Sequence, residues 1–261
     1  MAMNLDDMMA QIDAIPCEST NITQDITDSS ASDSCHKLRE KLLDSPPVLL
    51  VTSYSCTRFD STHQLSAAKG MVNSNRMRQF TEQADNCDRD YAIEFPSLAL
   101  SAGSSRFKQE LETQPGSFQI PVKMGNILPG YAMCVLDWYA KALQSKEWYE
   151  FLPQSPSVEG VDKWYWVYCY AVMQLMGMDQ FALRLQEVIA SIMCHLITSL
   201  DDYAHLLRLL KADDPVLHAL AQYTATQMRR PSPQLTGLDC QTIARNFPGF
   251  ANMVNTFLGG Q

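Results

Sequence analysis

The stretch Tyr165–Leu200 reads YWVYCYAVMQLMGMDQFALRLQEVIASIMCHLITSL, and its apolar pattern decides the fold prediction. We expect Gly177 to end a first helix in the left-handed conformation, and Asp179 to cap a second. Apolar residues recur at helical spacing on both sides of this turn: Val167, Tyr168, Ala171, Val172 and Leu175 before it, then Phe181, Leu185, Val188, Ile189, Ile192, Met193 and Leu196 after it. The sequence therefore predicts a helical hairpin whose two apolar faces the rest of the chain must cover.

Length and composition allow one sizeable core and exclude several classes of protein. The chain has 261 residues, of which 46% are hydrophobic, enough for a single core of good size. Its net charge of -9 argues against a broad phosphate-binding surface, so we expect no direct contact with nucleic acid. No apolar run reaches the roughly 20 residues of a membrane span, and the first residues carry acids where a signal peptide has bases. We expect an intracellular protein, cytoplasmic or nuclear.

The eight cysteines are scattered along the chain, and none forms a CxxC pair. In a long apolar chain without a secretory signal, reduced thiols are expected. Cys134, Cys169 and Cys194 fall on helical apolar faces, which predicts burial. The ligand spacing of a zinc site is missing, so we expect neither a metal nor a cofactor.

Residues 1–46 differ in composition from the rest of the chain. They hold nine acidic and three basic residues, which give -6 of the total charge. The segment CESTNITQDITDSSASDS within them cannot bury enough apolar surface to offset its ordering entropy, so a disordered acidic tail is predicted. Near its start, four apolar residues share one side of a possible helix and form a candidate segment for docking into a groove on a partner: Leu5, Met8, Met9 and Ile12. A tail that only solubilises the chain is the alternative.

The central part of the chain predicts three strands. Val48–Thr52 is a short β-branched run after Pro46-Pro47, and Tyr91–Phe95 alternates until Pro96 stops it. Phe118, Ile120 and Val122 alternate after the turn signal Pro115-Gly116. Met77–Phe80 is a candidate for a further strand.

Helical patterns dominate the second half. Pro129 stands in the first turn of a predicted helix that carries Tyr131, Ala132, Val135, Leu136 and Tyr139. Beyond Leu200, apolar faces at Tyr203–Leu210 and Val216–Tyr223 predict two more helices, and a last one holds Ile243 to Phe257. The predicted fold class is α+β, with a small mixed sheet near Val48, Tyr91 and Phe118 packed against helices that contain Phe107, Val135, Val172 and Ile189.

Four pieces of the chain, in order from about Tyr91 to Leu200, resemble the BTB/POZ domain family. After the strand at Ile93 come Leu100 and a Ser-x-x-Phe helix start, Ser104-Ser105-Arg106-Phe107. A strand and a proline-started helix ending in Trp138-Tyr139 follow, and then the hairpin with Gly177-Met178-Asp179. Pro96 stands where the family usually has histidine. The terminal PGFANMVNTFL looks like the helical extensions of fungal BTB-type domains.

This resemblance implies a division into a tail (1–46), a BTB/POZ-like domain (47–200) and a helical C-terminal extension (201–261). It implies a protein-protein interaction module that acts as scaffold or adaptor in a ubiquitin-ligase or transcription-related complex. The partners it implies are a cullin-type or transcriptional protein, or a second copy in a homodimer through the family's first strand and first helix. A heteromeric partner on the same surface is the alternative to the homodimer. Val48–Tyr54 and Met77–Glu82 both remain candidates for that first strand.

An enzyme is the less favoured class. The chain has no GxSxG elbow, no glycine-rich phosphate loop and no HExxH helix. Adjacent helical residues such as Cys194 and His195 point about 100° apart, so they cannot act on each other as nucleophile and base. His205 and His218 lie beside apolar faces, and Asp201-Asp202 and Asp213-Asp214 stand at predicted helix starts, where acids are stabilised. The alternative to an interaction module is a small helical ligand-binding protein, or an enzyme with an unrecognised pocket. The aromatic run Trp164–Tyr170 could line such a pocket, although its helical spacing favours core packing.

Overall fold

The computed structural model describes residues 33–54, 89–114, 116–145, 148–151, 164–229 and 237–259. This part of the chain has the predicted α+β class, with eleven helices and three strands. Their order is α1 (Asp33–Leu43), β1 (Pro47–Tyr54), β2 (Arg89–Pro96), α2 (Ser97–Gly103), α3 (Ser105–Thr113), β3 (Gln119–Gly125), α4 (Pro129–Gln144), α5 (Tyr165–Leu175), α6 (Asp179–Ser191), α7 (Met193–Leu196), α8 (Leu200–Leu209), α9 (Pro215–Arg229), α10 (Gly237–Asn246) and α11 (Pro248–Gly259).

The sheet is small and mixed, as predicted. Its strand order is β2-β1-β3, with β1 antiparallel to β2 and parallel to β3, so that Leu50 lies opposite both Ile93 and Ile120. One face joins the core through buried Val48, Leu50, Phe95, Ile120, Val122 and Met124. The other face carries the exposed Glu94, Gln119 and Lys123, which follows from the alternation of side chains along a strand. All three predicted strands are confirmed, whereas Met77–Phe80 lies outside the described residues.

The hairpin of α5 and α6 turns at Gly177, which has φ of +68°. The Gly177 amide donates to the Gln174 carbonyl and the Met178 amide donates to the Met173 carbonyl, bonds that satisfy carbonyls left over at the end of α5. A Cβ at Gly177 would lie 2.7 Å from the Arg106 Cβ. The predicted glycine turn is therefore confirmed. The predicted cap is wrong, because Met178 is the N-cap and makes no side-chain bond, while Asp179 lies in the first turn of α6.

Helix α5 lies at the centre of the molecule. Every residue from Val167 to Met173 is buried, because α4, α6 and β3 all contact this helix. Trp164, Tyr168 and Tyr170 are buried as well, so the aromatic run packs in the core as its spacing favoured. The four helix residues predicted to cover the sheet, Phe107, Val135, Val172 and Ile189, are fully buried.

The prediction of a disordered tail over residues 1–46 is wrong for residues 33–46. Helix α1 buries Leu38, Leu42 and the whole of Arg39, and it packs against α2 and α4. The turn after it is anchored as well, since the Ser45 hydroxyl accepts from the Leu98 amide at 3.0 Å. Leucines four residues apart give this short helix an apolar stripe, which the surrounding serines and acids concealed in the composition. Residues 1–32 lie outside the described part of the chain.

The helices after Leu200 share the same core as the hairpin. Val216, Leu220, Phe250 and Val254 belong to the buried cluster that contains Val172 and Leu185. The predicted single last helix is wrong: α10 ends at Asn246 and α11 begins at Pro248. Proline has no amide hydrogen and clashes with the preceding turn, so it starts a helix more readily than it continues one. None of the described helices has the length and apolarity that crossing a bilayer requires.

Candidate interaction surfaces

The predicted docking residues Leu5, Met8, Met9 and Ile12 lie outside the described residues. Among the concave surfaces of the described part of the chain, two include residues of the hairpin. We name them the aromatic groove and the basic pocket.

The aromatic groove lies where α4, α6 and residues 148–151 meet, and it has a volume of about 620 Å³. Its lining residues are Trp138, Trp148, Glu150, Phe151, Gln180, Phe181, Leu183, Arg184 and Glu187. The groove therefore combines an apolar floor with a charged margin. This combination is the usual anatomy of a protein-binding surface.

The rings of the groove hold one another in place. Trp138 meets Trp148, Phe151 and Phe181 edge-on, with centroid distances of 5.8, 5.3 and 5.6 Å. Trp148 also stacks on Phe181 at 5.4 Å. Edge-to-face and offset-stacked pairs are favourable aromatic geometries. The wall is therefore preformed, so that a ligand does not have to order it on binding.

The rim of the groove exposes one large apolar side chain among charges. Leu183 is 64% exposed. Beside it, the Arg184 guanidinium lies 2.5 Å from the Glu187 carboxylate and 3.8 Å from that of Glu150. The hydrogen bond that Arg184 donates to Glu187 raises the pKa of the Arg184 guanidinium. The rim thus carries two carboxylates around one cation.

The basic pocket lies at the end of β3, between the turn 125–127, the last residue of α5 and helix α8. Its volume is about 330 Å³, and its lining is Lys123, Met124, Gly125, Asn126, Ile127, Leu175, His205, Arg208 and Leu209. Met124 and Ile127 are buried, while Lys123 and Arg208 are exposed. None of these lining residues is acidic, although acids outnumber bases in the chain by 29 to 20.

His205 forms part of the wall of this pocket and is only 4% exposed. Its Nε2 lies 2.8 Å from the Tyr168 hydroxyl, and its ring meets Trp164 edge-on at 4.6 Å. These contacts fix the orientation of the imidazole. Of the two histidines that lie beside apolar faces in the sequence, His205 is therefore buried in the core, whereas His218 is exposed.

Of the three cysteines predicted to be buried, Cys169 is buried and Cys134 is half-buried, and both thiols lie near Tyr165. Burial, with a smaller contribution from Asp137, raises the pKa of Cys134 to about 11, and burial raises the pKa of Cys169 well above its usual value. Both thiols are therefore protonated at neutral pH and are weak nucleophiles. The prediction for Cys194 is wrong, because this residue is exposed in the short helix α7. Within the described residues, no group of three or more His, Cys, Asp or Glu side chains could hold a metal ion.

Two of the four aspartates predicted at helix starts, Asp202 and Asp214, accept hydrogen bonds from backbone amides there. Asp202 accepts from the Ser199 amide at 3.0 Å and completes a capping box at the start of α8. Asp214 accepts from the Val216 amide at 2.8 Å and from the Gln174 side chain at 2.7 Å. The Tyr170 hydroxyl also donates to Asp214, and the pKa of Tyr170 is raised by burial and then by this carboxylate.

Sequence reasoning missed both concave surfaces. Leu183 gave a usable signal, because it lies off the apolar face defined by Phe181 and Leu185 and so had to be exposed. Lys123 and Arg208 gave no such signal, because they belong to a strand and a helix that are far apart in sequence and meet only in the folded chain. Comparison of the chain with protein-family models, curated proteins and solved structures finds no match.

Proposed function

We propose that the chain is a BTB/POZ-like protein-interaction module that acts as scaffold or adaptor in a ubiquitin-ligase or transcription-related complex. The residues that carry the resemblance support this proposal through their mutual contacts. The Ser104 hydroxyl caps α3 by accepting from the Phe107 amide at 3.0 Å. The same hydroxyl donates to the Met176 carbonyl beside Gly177. The Ser-x-x-Phe start and the hairpin turn therefore depend on one another.

The observation that carries the interaction function is the aromatic groove with Leu183 at its rim. Water in contact with an apolar floor is unfavourable, and a partner's apolar side chain would release it. Binding energy at protein interfaces concentrates in such aromatic and aliphatic pockets, with near-neutral polar contacts around them. We infer that a partner places an apolar side chain against the ring cluster of the groove, and that Leu183 packs beside it.

The surroundings of α2 favour a heteromeric partner. The resemblance implies pairing through the first strand and first helix, and α2 is the helix that follows β2. In this chain α2 buries Leu98, Ala99 and Leu100, and α1 packs against it. Little apolar surface of α2 therefore remains for a second copy, and the aromatic groove is the better candidate interface.

Affinity capture with the full chain tests the proposal. Wild type is compared with Leu183→Asp and with the matched control Met228→Asp, which changes a 45% exposed residue of α9. A partner that uses the groove is captured by wild type and by the control, but not by Leu183→Asp. The captured protein is then purified, and its affinity for each of the three chains is measured by titration. The same titrations are made with a cullin-type scaffold protein. Equal capture and equal affinity for all three chains would rule out the groove as the interface.

A further inference from the structure

The rim of the aromatic groove carries more negative than positive charge. Among the described lining residues, Glu150 and Glu187 are acidic and Arg184 is basic, which leaves one excess negative charge. The side chains of all three are more than half exposed, so a partner can contact them. The chain as a whole is also acidic, with a net charge of -9. A basic partner is therefore attracted to this surface both at the rim and at longer range.

Arg184 does not pair equally with the two carboxylates. Its guanidinium lies 2.5 Å from the Glu187 carboxylate but 3.8 Å from that of Glu150. The longer distance exceeds that of a hydrogen bond. An ionised carboxylate can accept about four hydrogen bonds, so Glu150 has room for a second cation supplied from outside the chain.

The rings beside these carboxylates suit the side chain of a lysine or an arginine. The methylene stem of either residue packs on apolar surface while its charged head stays in a polar environment. A cation over the face of a tryptophan or phenylalanine ring is also attracted to that ring. The groove places Trp148 and Phe181 in the same lining as Glu150 and Glu187. One basic side chain of a partner can therefore use both the rings and the acids.

We propose that the aromatic groove binds a segment of a partner protein in which a lysine or arginine stands within a few residues of a bulky apolar side chain. The apolar side chain contacts the rings of the groove and Leu183. The basic side chain extends along the rings to Glu150 and Glu187. An acidic segment is rejected, because like charges at an interface repel. This inference rests on the proposal that the groove is the interface, and it adds the chemistry of the occupant.

Selection from a library of random linear peptides displayed on phage tests this inference, with the full chain as bait. The charge-reversed chain carries Glu150→Lys with Glu187→Lys. The matched control carries Glu94→Lys with Glu112→Lys, which change two exposed acids outside the groove lining. We expect wild type and control to select peptides that combine a large apolar residue with Lys or Arg. The charge-reversed chain is expected to select Asp or Glu in place of the basic residue.

Titration of one selected peptide, synthesised with a fluorescent label, measures the separate contributions. Glu150→Gln with Glu187→Gln is expected to weaken binding roughly three- to tenfold at low salt. This difference is expected to shrink at high salt, because salt screens exposed charges. Leu183→Ser removes apolar contact without adding charge, and we expect it to weaken binding roughly tenfold at both salt concentrations.

The outcomes separate the occupant from the groove itself. Selected peptides without a basic preference that Leu183→Ser still weakens would overturn the basic occupant and leave the groove as the interface. Acidic peptides selected by wild type, or basic peptides kept by the charge-reversed chain, would also overturn the basic occupant. Peptides that bind Leu183→Ser as tightly as wild type would overturn both the inference and the groove as the interface. The absence of any enriched peptide would overturn a linear basic segment as the occupant.

Discussion

Leu185 and Leu183 lie two positions apart on α6, yet Leu185 is fully buried and Leu183 is 64% exposed. Leu185→Asp buries an unpaired charge, so we expect it to lower the free energy of unfolding by about 3 to 5 kcal/mol. Leu183→Asp places the same charge in water, and we expect a change within about 0.5 kcal/mol. Leu175→Asp is expected to lie between them, because that side chain is half-buried at the basic pocket. Urea titrations of the three variants measure the difference, and a Leu185→Asp midpoint equal to wild type would remove the hairpin from the core.

Sequence predicts single residues well where the local backbone decides their role. Gly177 was identified because a short helix-to-helix turn needs a residue at positive φ, which glycine adopts without strain. The burial of Arg39 was not predicted, because a cation is buried only where groups from other parts of the chain pack around it. Cys194 illustrates a different limit: its apparent apolar face belonged to a longer helix, but α6 ends at Ser191 and α7 holds only four residues.

At the scale of elements, α1 makes the N-terminal region part of the fold. Deleting residues 1–46 removes the buried leucines of α1 and Ser45, which binds the Leu98 amide. Each buried leucine contributes roughly 1.5 to 3 kcal/mol, so we expect a loss of several kcal/mol. Deleting residues 1–32 leaves α1 intact, so we expect the loss to stay below about 1 kcal/mol. Thermal melts of the two truncations compare them, and equal midpoints would show that α1 does not stabilise the core.

Elements were predictable where one pattern filled a whole segment. The three strands and α4 each show a clear apolar pattern next to a proline or glycine signal, and all four are confirmed. Helix α1 was missed because its apolar stripe is only three leucines, Leu38, Leu42 and Leu43, next to a long polar run. Pro248 is a signal for the break between α10 and α11. The apolar residues Ile243, Phe247 and Phe250 keep helical spacing across this proline, so a single helix was predicted.

At the scale of the whole molecule, the sequence predicted the class of fold and not the concave surfaces. A small mixed sheet against helices follows from the order of patterns along the chain. The basic pocket joins Lys123 of β3 to Arg208 of α8, and the aromatic groove joins Trp138 of α4 to Phe151 and Phe181. Such surfaces depend on how elements pack, which periodicity within each element does not specify. The proposed interaction function therefore depends chiefly on the groove.

Site-specific photo-crosslinking in the cells that naturally produce the chain tests this claim most directly. A benzophenone amino acid replaces Leu183 at the groove in one chain, and Met228 of α9 in the other. The proposal predicts that light produces one discrete heavier species from the Leu183 position, containing a second polypeptide, and that the Met228 position does not produce it. The same products from both positions, or no product from Leu183, would contradict a protein partner in the aromatic groove.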